Sequence, residues 1–147
     1  MTLLDANILL YAYDRSSAAH LRVQEWLETL LSGKESVGLP WVTVWAFVRI
    51  STNPRLNEHP LRAEEALEIV GELRQHPLVV MVNPGRRHEE MLLEQMLKAQ
   101  VRGRETTDAV LAALAIENGA RLASTDVGFR RFTGLNWFNP LDSFTAE

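Results

Sequence analysis

Apolar and polar residues fall along this chain in two alternating kinds of block. Short apolar runs lie at 2–5, 36–39, 78–82, 120–124 and 136–139. They are too short for helices, and Gly, Pro, Asn or Ser flanks most of them, so they read as strands. Longer stretches between them carry apolar residues at helical spacing. Residues 6–13 form a short apolar helix. Ser16 and Ser17 are candidate N-caps for a second helix, striped by Leu21, Trp26, Leu27, Leu30 and Leu31 and stopped by Gly33. Pro40 suits the start of a third, 41–50, which is apolar almost all round and therefore expected to be buried, with Arg49 as its exception. Residues 61–75 carry Leu61, Ala66, Leu67, Ile69, Val70 and Leu73. Residues 87–100 carry Met91, Leu92, Met96 and Leu97, with a basic tail of Lys98, Arg102 and Arg104. Thr107 is placed to cap a last helix, with Val110, Leu111, Leu114 and Ala115 on its apolar face and Gly119 as its stop. Strands alternating with helices predict an α/β sandwich: a central parallel sheet of four or five strands covered on both faces.

The chain's 147 residues suit one domain, 1–147, large enough to bury its own core. Apolar residues make up 46%, so neither a disordered nor a membrane class is indicated. The net charge of −4 gives no global pull on nucleic acid, so any RNA contact needs a local basic patch. The absence of Cys excludes disulfides and thiolate metal sites. No apolar run approaches a membrane span, and no basic stretch precedes an apolar one, so the cytoplasm is the expected location.

Three aspartates hold the candidate chemistry. Asp5 ends the first strand, Asp108 opens the last helix, and Asp126 follows the fourth strand. Each has a plain structural use. Asp5 suits a helix cap, Asp108 a dipole-favoured first turn, and Asp126 a turn. In a parallel sheet, however, strand ends and helix starts share one edge, so all three carboxylates can face one crevice. Clustered carboxylates repel unless a cation compensates them, and hard oxygen ligands suit Mg²⁺ or Mn²⁺. His20, His59, His76 and His88 lack ligand spacing and read as surface or structural residues. No nucleophile elbow, P-loop or dinucleotide fingerprint is present.

Leu-Leu-Asp-Ala-Asn at 3–7, Thr-Thr-Asp-Ala-Val-Leu-Ala-Ala-Leu-Ala at 106–115 and Ala-Ser-Thr-Asp-Val-Gly-Phe at 123–129 together resemble the PIN-domain superfamily. With Leu-Pro-Trp through Arg-Ile-Ser-Thr-Asn-Pro at 39–54 and Leu-Asn-Trp-Phe-Asn-Pro-Leu at 135–141, they resemble its VapC-type ribonuclease toxins. The resemblance implies a PIN-like three-layer sandwich and a Mg²⁺- or Mn²⁺-dependent endoribonuclease. It also implies a homodimer held inactive by a VapB-type antitoxin, whose basic residue would pair with the acids. Relatives often carry another acid where Ala46 stands, although the subgroup resembled often lacks it; one cation or none, rather than two, is therefore expected in the free protein. Gly128 also replaces a common acid. Ser124 keeps the hydroxyl of a common threonine. Glu105 reads as a solvated residue rather than a substitute ligand.

On this reading Asp5 and Asp108 are the main metal ligands. Asp126 is a third ligand or acts through water, and Asn7 and Ser124 support them by hydrogen bonding. Arg49, Arg102 and Arg104 are candidate phosphate contacts, although an Arg placed like Arg49 is more commonly an internal ion-pair partner. The four Trp read mostly as core. The alternative from another class is a non-catalytic PIN-like module binding RNA or protein. A phosphatase or phospho-acceptor is disfavoured, because Asn7 stands two residues after Asp5 and the central strand ends at Val82-Asn83.

Overall fold

The computed structural model describes residues 1–142. Its five strands are β1 (Thr2–Leu4), β2 (Val37–Pro40), β3 (Val79–Val82), β4 (Arg121–Ala123) and β5 (Asn136–Phe138). They make one all-parallel sheet in the order β3-β2-β1-β4-β5. The helices are α1 (Ala6–Tyr13), α2 (His20–Leu31), α3 (Trp41–Ser51), α4 (Ala63–Gln75), α5 (His88–Ala99) and α6 (Thr106–Glu117). Two 3₁₀ turns, Gly103–Glu105 and Val127–Arg131, complete the chain's regular structure among the described residues.

The pleat of β1 divides the core. Leu4 points to the layer of α1, α2, α3 and α4 and packs with Ile8, Leu9, Val44 and Phe47. Leu3 points to the layer of α5 and α6 and packs with Leu111, Ala112, Leu122 and Phe129. Successive strand residues face opposite sides, so two adjacent leucines serve two cores. Gly38, paired with Leu3, is needed for close approach. A Cβ there would lie 2.8 Å from Leu3 Cδ1 and 2.9 Å from Val82 Cγ2. The chain order reverses at β1, which has β2 on one side and β4 on the other. That switch point opens a crevice at the carboxyl ends of the strands.

Several local expectations change. α3 is amphipathic rather than buried all round. Thr43, Val44, Phe47 and Ser51 are buried, but Trp45 is 65% exposed and Arg49 faces solvent. The helix covers the sheet with one face only, so its apolar outer positions stay outside the core. Trp45 is thus not a core residue, whereas Trp26 packs edge-on against Phe138. α2 starts at His20 after Ala19, and Ser17 Oγ accepts from Ala19 N at 3.2 Å instead of capping the helix. Thr107 lies inside the first turn of α6, because the preceding 3₁₀ turn leads the chain in at Thr106. No helix among the described residues is long and apolar enough to cross a membrane.

Candidate active site

Asp5 leaves β1 in extended conformation and caps α1. Its Oδ1 accepts from Ala6 N at 2.7 Å. Its Oδ2 accepts from Ser124 Oγ at 2.7 Å and from Asn7 Nδ2 at 3.1 Å. Ser124 is fully buried at the end of β4, and its Oγ in turn accepts from Asn7 Nδ2 and from Asp126 N, at 3.0 and 3.1 Å. Asn7 Oδ1 accepts from Thr125 N at 3.2 Å, which sets the amide so that its NH₂ faces the carboxylate. One hydrogen-bond network therefore locks the end of β1 to the end of β4. Burial pushes the Asp5 carboxyl up, against the lowering effect of the Ser124 and Ala6 hydrogen bonds; the Asp126 charge adds to the rise.

Asp108 stands in the first turn of α6 and is half-buried. Burial first, then the negative charges of Asp5 and Asp126, push its carboxyl up to about 6. Arg131 opposes this: its Nη2 donates to Asp108 Oδ2 at 3.0 Å. Asp126 is exposed, and its Oδ1 accepts from Gly128 N at 2.8 Å at the start of the second 3₁₀ turn. The structure thus brings all three aspartates within electrostatic reach, but gives each a different local task.

Asp5 and Asp108 line one cleft of about 450 Å³, together with Asn7, Thr43, Arg49 and Arg104. Ala46 lines it too, so the position of the missing acid does face the cleft. A larger hollow of about 600 Å³ lies beyond Leu10 and Ile50, and none of Asp5, Asp108 and Asp126 lines it. The larger hollow has ionisable residues of its own, Asp14, Arg15, Glu58 and His59, but only the smaller one gathers two of the three aspartates. Arg49 is exposed and makes no ion pair among the described residues, so the internal-pair expectation is corrected: its side chain borders the acidic cleft instead. Arg102 is exposed and does not line the cleft. Glu105 does line it, 3.6 Å from Arg131 Nη1, and is more engaged than a purely solvated residue. The four histidines stay outside. His20 Nδ1 lies 2.9 Å from the Tyr11 carbonyl, and His76 Nδ1 accepts from Leu78 N at 3.1 Å.

The PIN domain family profile matches residues 2–135. The chain belongs to the PIN-domain family. Within that family it is a VapC ribonuclease relative along its whole length. It is 39% identical to Ribonuclease VapC37 of Mycobacterium tuberculosis over 140 residues, covering 95% of this chain and 97% of that one. It is 34% identical to Ribonuclease VapC43 of the same species over 145 residues, covering 99% of both. In fold it is similar to Mycobacterium tuberculosis VapC20, described as a sarcin-ricin loop cleaving toxin, with a TM-score of 0.69 and 16% identity over 92% of this chain and 98% of that one. It is also similar in fold to a chain of VapBC2 from Rickettsia felis, solved bound to promoter DNA, with a TM-score of 0.69 and 16% identity over 94% and 97%. The two VapC relatives place the chain among ribonucleases, and the two solved structures share its fold.

In this PIN domain the donor set fits a hard cation. Two carboxylates, Asp5 and Asp108, open on one cleft, where burial first and then the charges of Asp5 and Asp126 push the Asp108 carboxyl up, and such oxygen donors suit Mg²⁺ or Mn²⁺. Among the described residues no group of three acidic or histidine side chains forms a ready cation site. Gly128 N holds one oxygen of Asp126, and Arg131 holds one oxygen of Asp108. Arg131 is the site residue that sequence reasoning missed. Its only signal was an Arg pair set between Phe129 and Phe132, just after Asp126.

Proposed function

We propose that this PIN domain is the toxin of a VapBC-type pair, a Mg²⁺- or Mn²⁺-dependent endoribonuclease working in the cytoplasm. The observation that carries the metal requirement is the pair Asp5 and Asp108. They face one cleft, and burial together with mutual repulsion raises the Asp108 carboxyl. These two residues would hold the cation. When bound, it supplies a water of lowered pKa as the nucleophile and compensates charge on the phosphodiester.

The chain's own groups do the positioning. Ser124 and Asn7 hold Asp5 Oδ2 in a fixed direction, so the ligand is set before substrate arrives. Asp108 is mostly ionised at neutral pH and ready to act as an oxygen ligand. Arg49 and Arg104 flank the acids and supply the local basic patch that the net charge of −4 does not. Asp126 acts from the rim, through water.

A VapB-type antitoxin would silence the site by placing a basic side chain against the carboxylates. Solved VapBC complexes of the same fold, such as VapBC-1 from nontypeable Haemophilus influenzae, support such a partner. A homodimer is the expected assembly, and exposed Trp45 on α3 and Leu67 on α4 are available to a second copy. The test is purification with and without the neighbouring gene product, followed by assay on total RNA. Free protein should cleave and the complex should not. Equal cleavage by both would refute the pairing, and no cleavage by free protein with Mn²⁺ would refute the activity.

A further inference from the structure

We infer that Arg131 is a built-in counter-ion. It holds Asp108 in the free protein and passes to an RNA phosphate when the cation takes that carboxylate. The inference rests on the metal-nuclease reading above, and it assigns a positioning role to a residue outside the three aspartates.

Arg131 Nη2 donates to Asp108 Oδ2 at 3.0 Å, so it occupies an oxygen that the cation would use. The rest of the guanidinium is poorly served. Nη1 lies 3.6 Å from Glu105 Oε1, and Nε is buried with no hydrogen-bond partner among the described residues. An Arg committed to a structural bridge satisfies its planar fork, usually with two parallel bonds to one carboxylate. This one makes a single good bond and keeps donor capacity in reserve. A phosphate offers the paired oxygens that such a fork matches.

The placement favours transfer. Arg131 ends the 3₁₀ turn that begins directly after Asp126, and its guanidinium carbon lies 5.1 Å over the Phe132 ring. Phe132 is buried and gives the guanidinium a platform, while the Arg131 side chain is 30% exposed, so part of it is open to an incoming anion. The charges agree. Asp5, Asp108 and Asp126 carry −3 formally when ionised, and Arg131 brings the group to −2. A divalent ion brings that sum to zero, but on Asp108 it takes the oxygen that Arg131 holds, and the RNA phosphate is the anion that the displaced guanidinium then meets. Cation and RNA should therefore assist each other's binding.

The experiment measures Mn²⁺ affinity by the EPR signal of free Mn²⁺. It compares wild type, Arg131→Gln and Arg131→Lys, with thermal melts as the control for folding. Removing a unit positive charge a few ångströms from a divalent ion should tighten Mn²⁺ binding by about tenfold. Arg131→Lys keeps the charge and should stay within about twofold of wild type. In Mn²⁺-saturated protein, fluorescence anisotropy with a mixed-sequence phosphorothioate oligoribonucleotide should show weaker binding for both variants. Should Arg131→Gln not fold, Arg131→Lys still tests the fork, with near-native Mn²⁺ affinity and weakened oligonucleotide binding. Mn²⁺ affinity that is unchanged or lower in Arg131→Gln, or oligonucleotide affinity unchanged in both variants, overturns the inference and leaves the metal site standing. No Mn²⁺ binding by wild type overturns the metal reading itself, and the inference with it.

Discussion

Asp108→Asn separates function from stability most sharply. The substitution removes one negative charge at nearly constant shape, and Asn Oδ1 still accepts from Arg131. The carboxyl is pushed up to about 6 from 3.8, so the folded protein resists ionising it. At ~1.4 kcal/mol per pH unit, that gap sets an upper bound of about 3 kcal/mol on the cost at neutral pH. The side chain is 32% exposed, and solvent screening brings the figure to about 1–2 kcal/mol. The variant should therefore be more stable than wild type without metal at pH 7.5, by roughly 2–8 °C in Tm for a domain of this size.

The sign follows from proton binding. Between pH 3.8 and about 6, folded Asp108 keeps a proton that the unfolded chain has released. Wild type should lose stability as pH rises through that window, and Asp108→Asn should lose less. The facing charges Asp5, Asp126, Glu105 and Arg131 remain in both proteins. The assay is a set of thermal melts in EDTA across that range, together with cleavage of total RNA in Mn²⁺. The variant should melt higher and cleave at least about a hundredfold more slowly, as expected for loss of a main metal ligand. A lower Tm at pH 7.5, or undiminished cleavage, would refute the reasoning.

Four further outcomes are expected. Asp126→Asn should impair cleavage less than Asp108→Asn if the exposed Asp126 acts through water, as proposed; equal loss in parallel rate assays would assign it a direct contact. Ser124→Ala removes a fully buried hydroxyl that serves Asp5, Asn7 and Asp126 N, and should cost about 1–3 kcal/mol in urea melts while slowing cleavage. Ser124→Thr keeps the hydroxyl and should cleave faster than Ser124→Ala. Light scattering should report a homodimer at micromolar concentration without antitoxin, and a monomer throughout would count against it.

The fold was legible because its elements are strongly patterned. Runs such as Leu78–Val82 and stripes such as Ala66, Val70 and Leu73 specify strand and helix with little ambiguity, and the five parallel strands follow. α3 was misread because Trp45 and Val48 look alike to a periodicity argument, whereas Trp45 faces solvent and Val48 packs on the core. The three aspartates were legible because a parallel sheet brings strand ends and helix starts to one edge. Arg131 was not, since an Arg in a short turn has no period. Only the packing of that turn beside α6 puts its guanidinium on Asp108. Arg49 and Arg102 show the same limit in the other direction. Both were candidates on charge alone, yet only Arg49 borders the cleft, because the course of the loop after α5 decides where Arg102 lies.

The central claim is that a divalent cation on Asp5 and Asp108 makes this PIN domain cleave RNA. The most direct test is cleavage of total RNA by the purified wild-type protein, stripped with EDTA and then titrated with Mn²⁺ and Mg²⁺. Cleavage should vanish in EDTA and return saturably with either ion. Cleavage that persists undiminished in EDTA would contradict the account.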